Sequence, residues 1–254
     1  MAENQKKTEQ FADFGFERIP LDDKSHRVGA VFDSVADRYD LMNDIMSFGM
    51  HRAWKKFTLS KTALRPGDFA LDVAAGSGDL SKGMARQVGS NGLVVVTDIN
   101  SSMLHKGRDS LTDAGFAKSV AYAQADAEKL PFESNKFNCV TIGFGLRNVT
   151  NKLAALADMY RVLKPGGRLL ILEFSKPKIS FLNSIYDIYS FQVLPRLGGL
   201  ITNDSDSYRY LAESIRMHPD QNALKELMIS EGFERCEYHN LSAGIVALHL
   251  GFKL

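Results

Sequence analysis

A chain of 254 residues that is 44% hydrophobic and carries a formal charge of +1 suits one sizeable globular domain. The near-neutral balance supplies no basic field for nucleic acid, so no nucleic-acid partner is expected. Two cysteines, Cys139 and Cys236, make neither a disulfide framework nor a metal site, and a reducing compartment is expected.

Residues 1–25 are polar and unpatterned and read as a mobile tail, without the apolar core of a signal peptide. Residues 27–60 read as a helical segment rich in aromatic residues and methionine, and are expected to form a cap on the substrate side. From 68 to 174 the pattern alternates. "FALDVAA" is a buried strand; Leu80, Met84 and Val88 mark one face of a helix that Gly89 stops. "GLVVVTDI" is a second strand, followed by a helix with Ser101 as its cap, Met103, Leu104 and Leu111 inward and Gly115 beyond its end. "SVAYAQAD" and "FNCVTIGFG" are the third and fourth strands. Leu153, Leu156, Tyr160 and Leu163 mark a helix ended by "KPGG", and "RLLILEF" is the fifth strand. Strands alternating with amphipathic helices predict an α/β fold, a mostly parallel sheet with helices on both faces.

Residues 176–218 break the rhythm. They carry Phe181, Tyr186, Tyr189, Phe191, Tyr208 and Tyr210 and read as an insertion, or lid, over the ligand edge. Residues 219–254 supply a late helix and a strand pair that finishes the sheet. The whole of 26–254 is thus expected to be one domain with 68–174 as its core. No stretch reaches the ~18–20 apolar residues of a membrane span, and a cytoplasmic location is expected.

The loop after the first strand reads Gly76-Ser77-Gly78. It sits where open parallel sheets bind ligands, and glycine permits close backbone approach. A dinucleotide loop would carry a third glycine where Ser81 stands, and the Lys-Ser/Thr ending of a phosphate loop is missing. What remains is an acid four residues before the first glycine, Asp72, and an acid ending the second strand, Asp98, where a carboxylate bonds ribose hydroxyls.

This D-x-A-x-G-x-G loop with its second acid resembles the class I S-adenosylmethionine-dependent methyltransferases. The resemblance implies a Rossmann-like, seven-stranded sheet and S-adenosylmethionine as cofactor. It implies cofactor contacts from Asp72, Gly76, Ser77, Gly78, Asp98 and Gly143, and adenine contacts from Asp126 and Ala127 in "QADAEKLPF". Three further stretches, "YDLMNDIMSFGMHRAW", "RVLKPGGRLLILEFSKP" and "SYRYLAESIRMHPDQ", with "FGLRNV", resemble the UbiE family from about residue 27 to the end. Ala75, Ser77 and Gly143 depart from residues common in that family, glycine, threonine and serine respectively.

The resemblance implies methyl transfer to a ring carbon of a polyprenylated quinol: demethylmenaquinol, a polyprenyl methoxy-benzoquinol, or both. The ortho carbon of a phenol becomes nucleophilic as the hydroxyl loses its proton, so the site must stabilise phenolate charge and hold the reacting atoms in line. Arg147 is expected to bond the phenolate and Asn148 to orient it, the alternative for Arg147 being an ion pair that fixes its loop. Tyr39 and Asp40 are expected to relay the proton, and no metal is invoked. Met42, Met46 and Met50 lie four apart and read as core, with contact to the prenyl tail as the alternative. Peripheral contact with the inner face of the membrane through the insertion and the Met42 face is expected. Membership of a quinone-biosynthesis complex, another lipophilic acceptor, and a non-catalytic S-adenosylmethionine-binding scaffold stay open.

Overall fold

The computed structural model describes residues 11–35, 39–177 and 205–254; the side chains of residues 35, 39 and 40 lie outside that description. The chain opens with a hairpin, β1 (Phe11–Phe14) and β2 (Glu17–Pro20), followed directly by α1 (Leu21–Val35). This corrects the reading of 11–25 as part of a mobile tail. Gly15 supplies the positive φ of +60° that the two-residue turn needs. The hairpin is anchored: Phe14 stacks on Tyr210 with ring centroids 4.2 Å apart, and the Phe16 N–H donates to Glu213 at 3.1 Å. The helical segment then resolves into α2 (Tyr39–Ser47) and α3 (His51–Lys61).

The core follows the predicted alternation: β3 (Phe69–Val73), α4 (Asp79–Val88), β4 (Leu93–Asp98), α5 (Ser101–Asp113), β5 (Val120–Gln124) and β6 (Phe137–Gly143). A 3₁₀ turn (Leu146–Asn148), α6 (Lys152–Val162) and β7 (Leu163–Phe174) complete it. The cap of α5 is Asn100, whose side chain accepts from Met103 N–H at 2.9 Å, one residue before the predicted Ser101. Beyond the insertion come α7 (Ser205–Met217), α8 (Gln221–Ser230), β8 (Glu234–Leu241) and β9 (Val246–Phe252). Phe181, Tyr186, Tyr189 and Phe191 lie outside the described residues, so most of the insertion does too. Tyr208 and Tyr210, its last aromatics, are buried in α7.

The seven-stranded sheet has the order β5-β4-β3-β6-β7-β9-β8. Pairs from β5 to β7 are parallel, and β9 runs antiparallel to both β7 and β8. Both faces are covered, which is why the strands read as near-continuous apolar runs. Leu71, Val73, Val95, Val140, Ile142, Leu169 and Ile171 pack on the α6–α8 side. The alternate residues Ala70, Val94 and Val96 pack against α4 and α5. On that same face Leu170, Leu172, Leu248 and Leu250 meet Met42, Met46 and Trp54. Met42 and Met46 are therefore core residues, at 5% and 9% exposure, while Met50 is exposed. Trp54 donates its indole N–H to Ser242 at 3.0 Å, tying α3 to the turn before β9. Among the described residues no helix is long and apolar enough to cross a membrane.

The chain runs from β3 outward through β4 and β5, then returns to place β6 on the other side of β3. That reversal opens a crevice at the carboxyl ends of β3, β4 and β6, the place where such sheets bind ligands.

Candidate functional site

A cleft occupies the crevice. Its floor is the ends of three strands and the loops that follow: Ala74 and Gly76 after β3, Asp98 and Ile99 at β4, Phe144, Gly145 and Asn148 after β6. Asp126 and Ala127, after β5, form one side, and Ser25, Val28, Gly29 and Phe32 of α1 cover it. Ala74 and Phe144, the residues just past β3 and β6, both hold a left-handed backbone, at φ +50° and +57°. Side chains rarely accept that conformation, and here it recurs twice at the cleft.

Asp98 is the charged centre. One carboxylate oxygen accepts from Gly76 N–H at 3.0 Å and the other from Asn100 N–H at 2.9 Å. Burial pushes its pKa up, while the N–H groups of Asn100, Gly76 and Ile99 pull it back. The acid therefore holds the glycine loop as well as facing the cleft. The loop is pinned from below by α5: a Cβ added at Gly107 would lie 2.6 Å from the Gly76 carbonyl oxygen. Gly78, at φ +79°, starts α4. Ser77 is buried at 4% exposure, and among the described residues its hydroxyl has no hydrogen-bond partner.

Asp72 stands elsewhere than expected. It is 1% exposed and does not line the cleft. Its two oxygens accept from the hydroxyls of Ser81, at 2.5 Å, and Thr141, at 2.7 Å. Burial raises its pKa to about 6, against the pull of those hydroxyls. Ser81, at the third glycine position of a dinucleotide loop, thus has a structural partner that glycine would not provide. Gly143 also lies off the lining; a Cβ there would come within 2.9 Å of Leu80 Cδ1.

Arg147 likewise turns away. Its guanidinium is buried, pairs with Glu173 at 3.0 Å, donates to the Phe144 carbonyl and lies over the Phe174 ring. Its own N–H donates to the second Glu173 oxygen at 3.2 Å. It lines a neighbouring cavity and not the cleft, the geometry of the loop-fixing alternative. Asn148 does line the cleft, and its Oδ1 accepts from the Tyr210 hydroxyl at 3.0 Å. With the oxygen so engaged, the amide NH₂ is the group left to donate. Tyr39 and Asp40 open α2, and their side chains are outside the described residues.

Several lining residues escaped the sequence reading. Ile99 and Met103 offer an apolar edge beside Asp98, and Ile99 is 46% exposed, an apolar side chain left open next to an acid. Gly107 had a usable signal, because a glycine inside a helix weakens it and marks close approach. The helix α1 begins inside the segment read as tail, and Ser25 lies there, but Val28, Gly29 and Phe32 fall within 27–60, the segment expected to be a helical cap on the substrate side.

The arrangement of a strand-ending acid, a glycine loop and a distal acid suits a nucleoside with free ribose hydroxyls. Known proteins agree with it. The profile of the ubiE/COQ5 methyltransferase family matches residues 21–253. A protein of Teredinibacter turnerae named ubiquinone/menaquinone biosynthesis C-methyltransferase UbiE is 62% identical over 240 residues, covering 94% of this chain and 96% of the relative. A protein of the same name from Marinomonas is 58% identical over 253 residues and covers both chains in full. Among solved structures, a SAM-dependent methyltransferase from Aquifex aeolicus has a TM-score of 0.58 at 16% identity, over 79% of this chain and 89% of that one. Phosphoethanolamine N-methyltransferase 2 from Haemonchus contortus, in complex with S-adenosyl-L-methionine, has a TM-score of 0.56 at 18% identity, over 78% of this chain and 52% of that one. These structures share the fold, a class I methyltransferase sheet; the sequence matches go further, and the chain belongs to the ubiE/COQ5 methyltransferase family.

Proposed function

We propose that the protein methylates a ring carbon of a polyprenylated quinol, using S-adenosylmethionine, in the formation of menaquinone, ubiquinone or both. The observation that carries the reading is one cleft that holds a carboxylate suited to ribose, Asp98, and a fixed amide donor, Asn148. The names of the relatives, at 62% and 58% identity over nearly their whole lengths, support the quinol as acceptor.

The residues fit S-adenosylmethionine. Asp98 would take the ribose hydroxyls, Asp126 and Ala127 the adenine edge, Ile99 and Met103 its faces, and the Gly76 backbone the aminoacyl end. Asp72, Ser77, Gly78 and Gly143 act from behind, by setting the shape of the loop and strand ends. Bound there, S-adenosylmethionine supplies an electrophilic sulfonium methyl.

The acceptor needs its phenol deprotonated and the resulting charge stabilised. In this reading Asn148 donates to the phenolate oxygen, a role supported by the Tyr210 hydroxyl, which engages the amide oxygen and leaves the NH₂ to donate. Arg147 holds the turn that carries Asn148 through its bonds to Glu173 and Phe144, so it acts as a positioning residue. Tyr39 and Asp40 relay the proton. The same reading includes reversible peripheral membrane contact, because the acceptor's tail is lipid-soluble.

Methyl transfer is tested anaerobically with labelled S-adenosylmethionine and a short-chain acceptor supplied reduced or oxidised. A quinone ring is electron-poor and its carbon cannot attack a sulfonium, so transfer to the quinol alone is expected. Equal rates on both forms overturn the carbon-nucleophile reading, and no transfer to either overturns the choice of acceptor.

A further inference from the structure

A second cavity, of about 240 Å³, lies between the hairpin, α1, α7 and the start of α6. It shares Thr150 with the cleft, and the two sit on either side of the Tyr210–Asn148 contact. Its lining is polar and cationic: Arg18, Lys24, Arg147 and Lys152 face it, against one carboxylate, Asp13. Glu173 already neutralises Arg147. Three cations remain for one lining acid, with Glu128 acting on Lys24 and Lys152 from outside the lining.

Lys24 is the telling residue. It is only 4% exposed, yet among the described residues it has neither a hydrogen bond nor an ion pair. The carboxylates of Asp13 and Glu128 offset part of the cost of burying this ammonium, and an anion in the cavity would offset more. Among the described residues Lys152 donates to the Val149 carbonyl alone, at 3.3 Å. Burial pushes both ammonium groups down, Lys152 to about 8 with the charge of Lys24 as its second cause. Two repelling lysines enclosed together are the residue pattern of an anion site.

The mouth of the cavity has a different character. Phe11, Leu21 and Met217 contribute to the lining and are 49%, 37% and 48% exposed. Exposed apolar residues ringing a cationic hole match an amphiphile, with charge inside and hydrocarbon at the rim. A free oxyanion would need only the hole.

We propose that this cavity docks the phosphate of an anionic membrane phospholipid, held by Lys24, Lys152 and Arg18, while Phe11, Leu21 and Met217 enter the interfacial layer. The proposal rests on the reading of peripheral membrane contact and moves that contact from the insertion and the methionine face to the hairpin. It also has a geometric consequence. Lys24 faces the cavity and its neighbour Ser25 faces the cleft, so α1 touches the membrane site and the catalytic site with adjacent residues. A lipid-soluble acceptor would then be delivered beside the cleft.

The test is co-sedimentation of the full chain with phosphatidylcholine vesicles, with and without phosphatidylglycerol. Three variants are compared: Lys24→Gln/Lys152→Gln, Phe11→Ser/Met217→Ser, and a control of equal charge change at exposed lysines, Lys56→Gln/Lys118→Gln. Calorimetry with S-adenosylmethionine verifies that each is folded. The wild type should bind vesicles containing phosphatidylglycerol, the cavity pair should lose at least about tenfold in affinity, and the control should lose much less. The rim pair should lose vesicle binding while keeping any thermal stabilisation by inorganic phosphate. Should the cavity pair fail to fold, the rim pair carries the test alone. No vesicle binding by the wild type overturns the membrane reading and the site together. Equal binding by wild type and all variants overturns the site and leaves the membrane reading standing. Stabilisation by phosphate without vesicle binding makes it a free-oxyanion site and overturns the lipid.

Discussion

Replacing Asp98 by asparagine probes the centre of the cleft with almost no change of shape. The carboxylate serves two backbone donors, the buried Gly76 N–H at 3.0 Å and the half-buried Asn100 N–H at 2.9 Å, one on each oxygen. Asparagine offers one oxygen and one NH₂. Whichever way the amide turns, one backbone N–H faces another donor. A buried donor without an acceptor costs about 1–3 kcal/mol. Burial works the other way, because it disfavours the charged form of Asp98, so removing the charge recovers part of that. The net expectation is a loss of about 1–2 kcal/mol, which in a chain of this size lowers Tm by about 2–8 °C. S-adenosylmethionine should lose more. Its ribose hydroxyls forfeit a charge-assisted acceptor worth about 1.5–3 kcal/mol, so affinity falls roughly ten-fold or more. Thermal unfolding and calorimetric titration on the same sample measure both. An unchanged affinity in a folded Asp98→Asn protein would refute the ribose assignment, and an unchanged Tm would refute the loop-holding role.

Gly107→Ala should weaken S-adenosylmethionine binding about ten-fold although residue 107 touches no ligand, because its Cβ would press on the Gly76 carbonyl 2.6 Å away; wild-type affinity would show that the loop yields freely. Asp72→Asn should flatten a pH dependence. The folded pKa of about 6 lies above the model-peptide value of 3.8, so the wild type is favoured while the carboxyl is protonated and loses on the order of 3 kcal/mol as pH rises through that window. The stability of Asp72→Asn relative to wild type should therefore climb between about pH 4 and pH 7, and a constant difference in unfolding free energy would contradict the burial argument. Arg147→Ala strands Glu173, 1% exposed, and should cost about 3–5 kcal/mol. Arg147→Met/Glu173→Gln should recover most of that stability and, with it, methyl transfer. Recovery of stability without transfer would restore a direct role for the guanidinium.

The five parallel strands were legible because burial on both faces leaves short apolar runs such as "LVVV" and "LLIL", recurring between amphipathic helical stretches. The loop position and Asp98 followed from them. The direction of individual polar side chains did not. Asp72 precedes the last residue of its strand, and whether it points to ligand or inward depends on Ser81 and Thr141, which lie far apart in sequence. Those two hydroxyls inside apolar elements were the available clue. Glu173 gave a similar one for Arg147: a single acid inside "RLLILEF" requires a buried partner. The hairpin was missed for a different reason. Strands of four residues with alternating charge bury little of their own, and "FADFGFERIP" folds because Tyr210 and Glu213, nearly two hundred residues later, receive it.

The antiparallel strand β9 sets an order on synthesis. It comes after every other described element, yet it lies inside the sheet, bonded to β7 on one side and β8 on the other. Val246, Ala247 and Leu248 are fully buried there. Until β9 has been made, β7 has an open edge whose apolar residues on both faces want cover, a template for pairing with other chains. The nascent protein thus carries an exposed sticky edge until β9 has emerged, and a truncation ahead of Val246 would leave that edge permanently open. Loss of the last strand should show itself as aggregation and proteolysis in the cell, with a soluble but inactive enzyme as the outcome that does not occur.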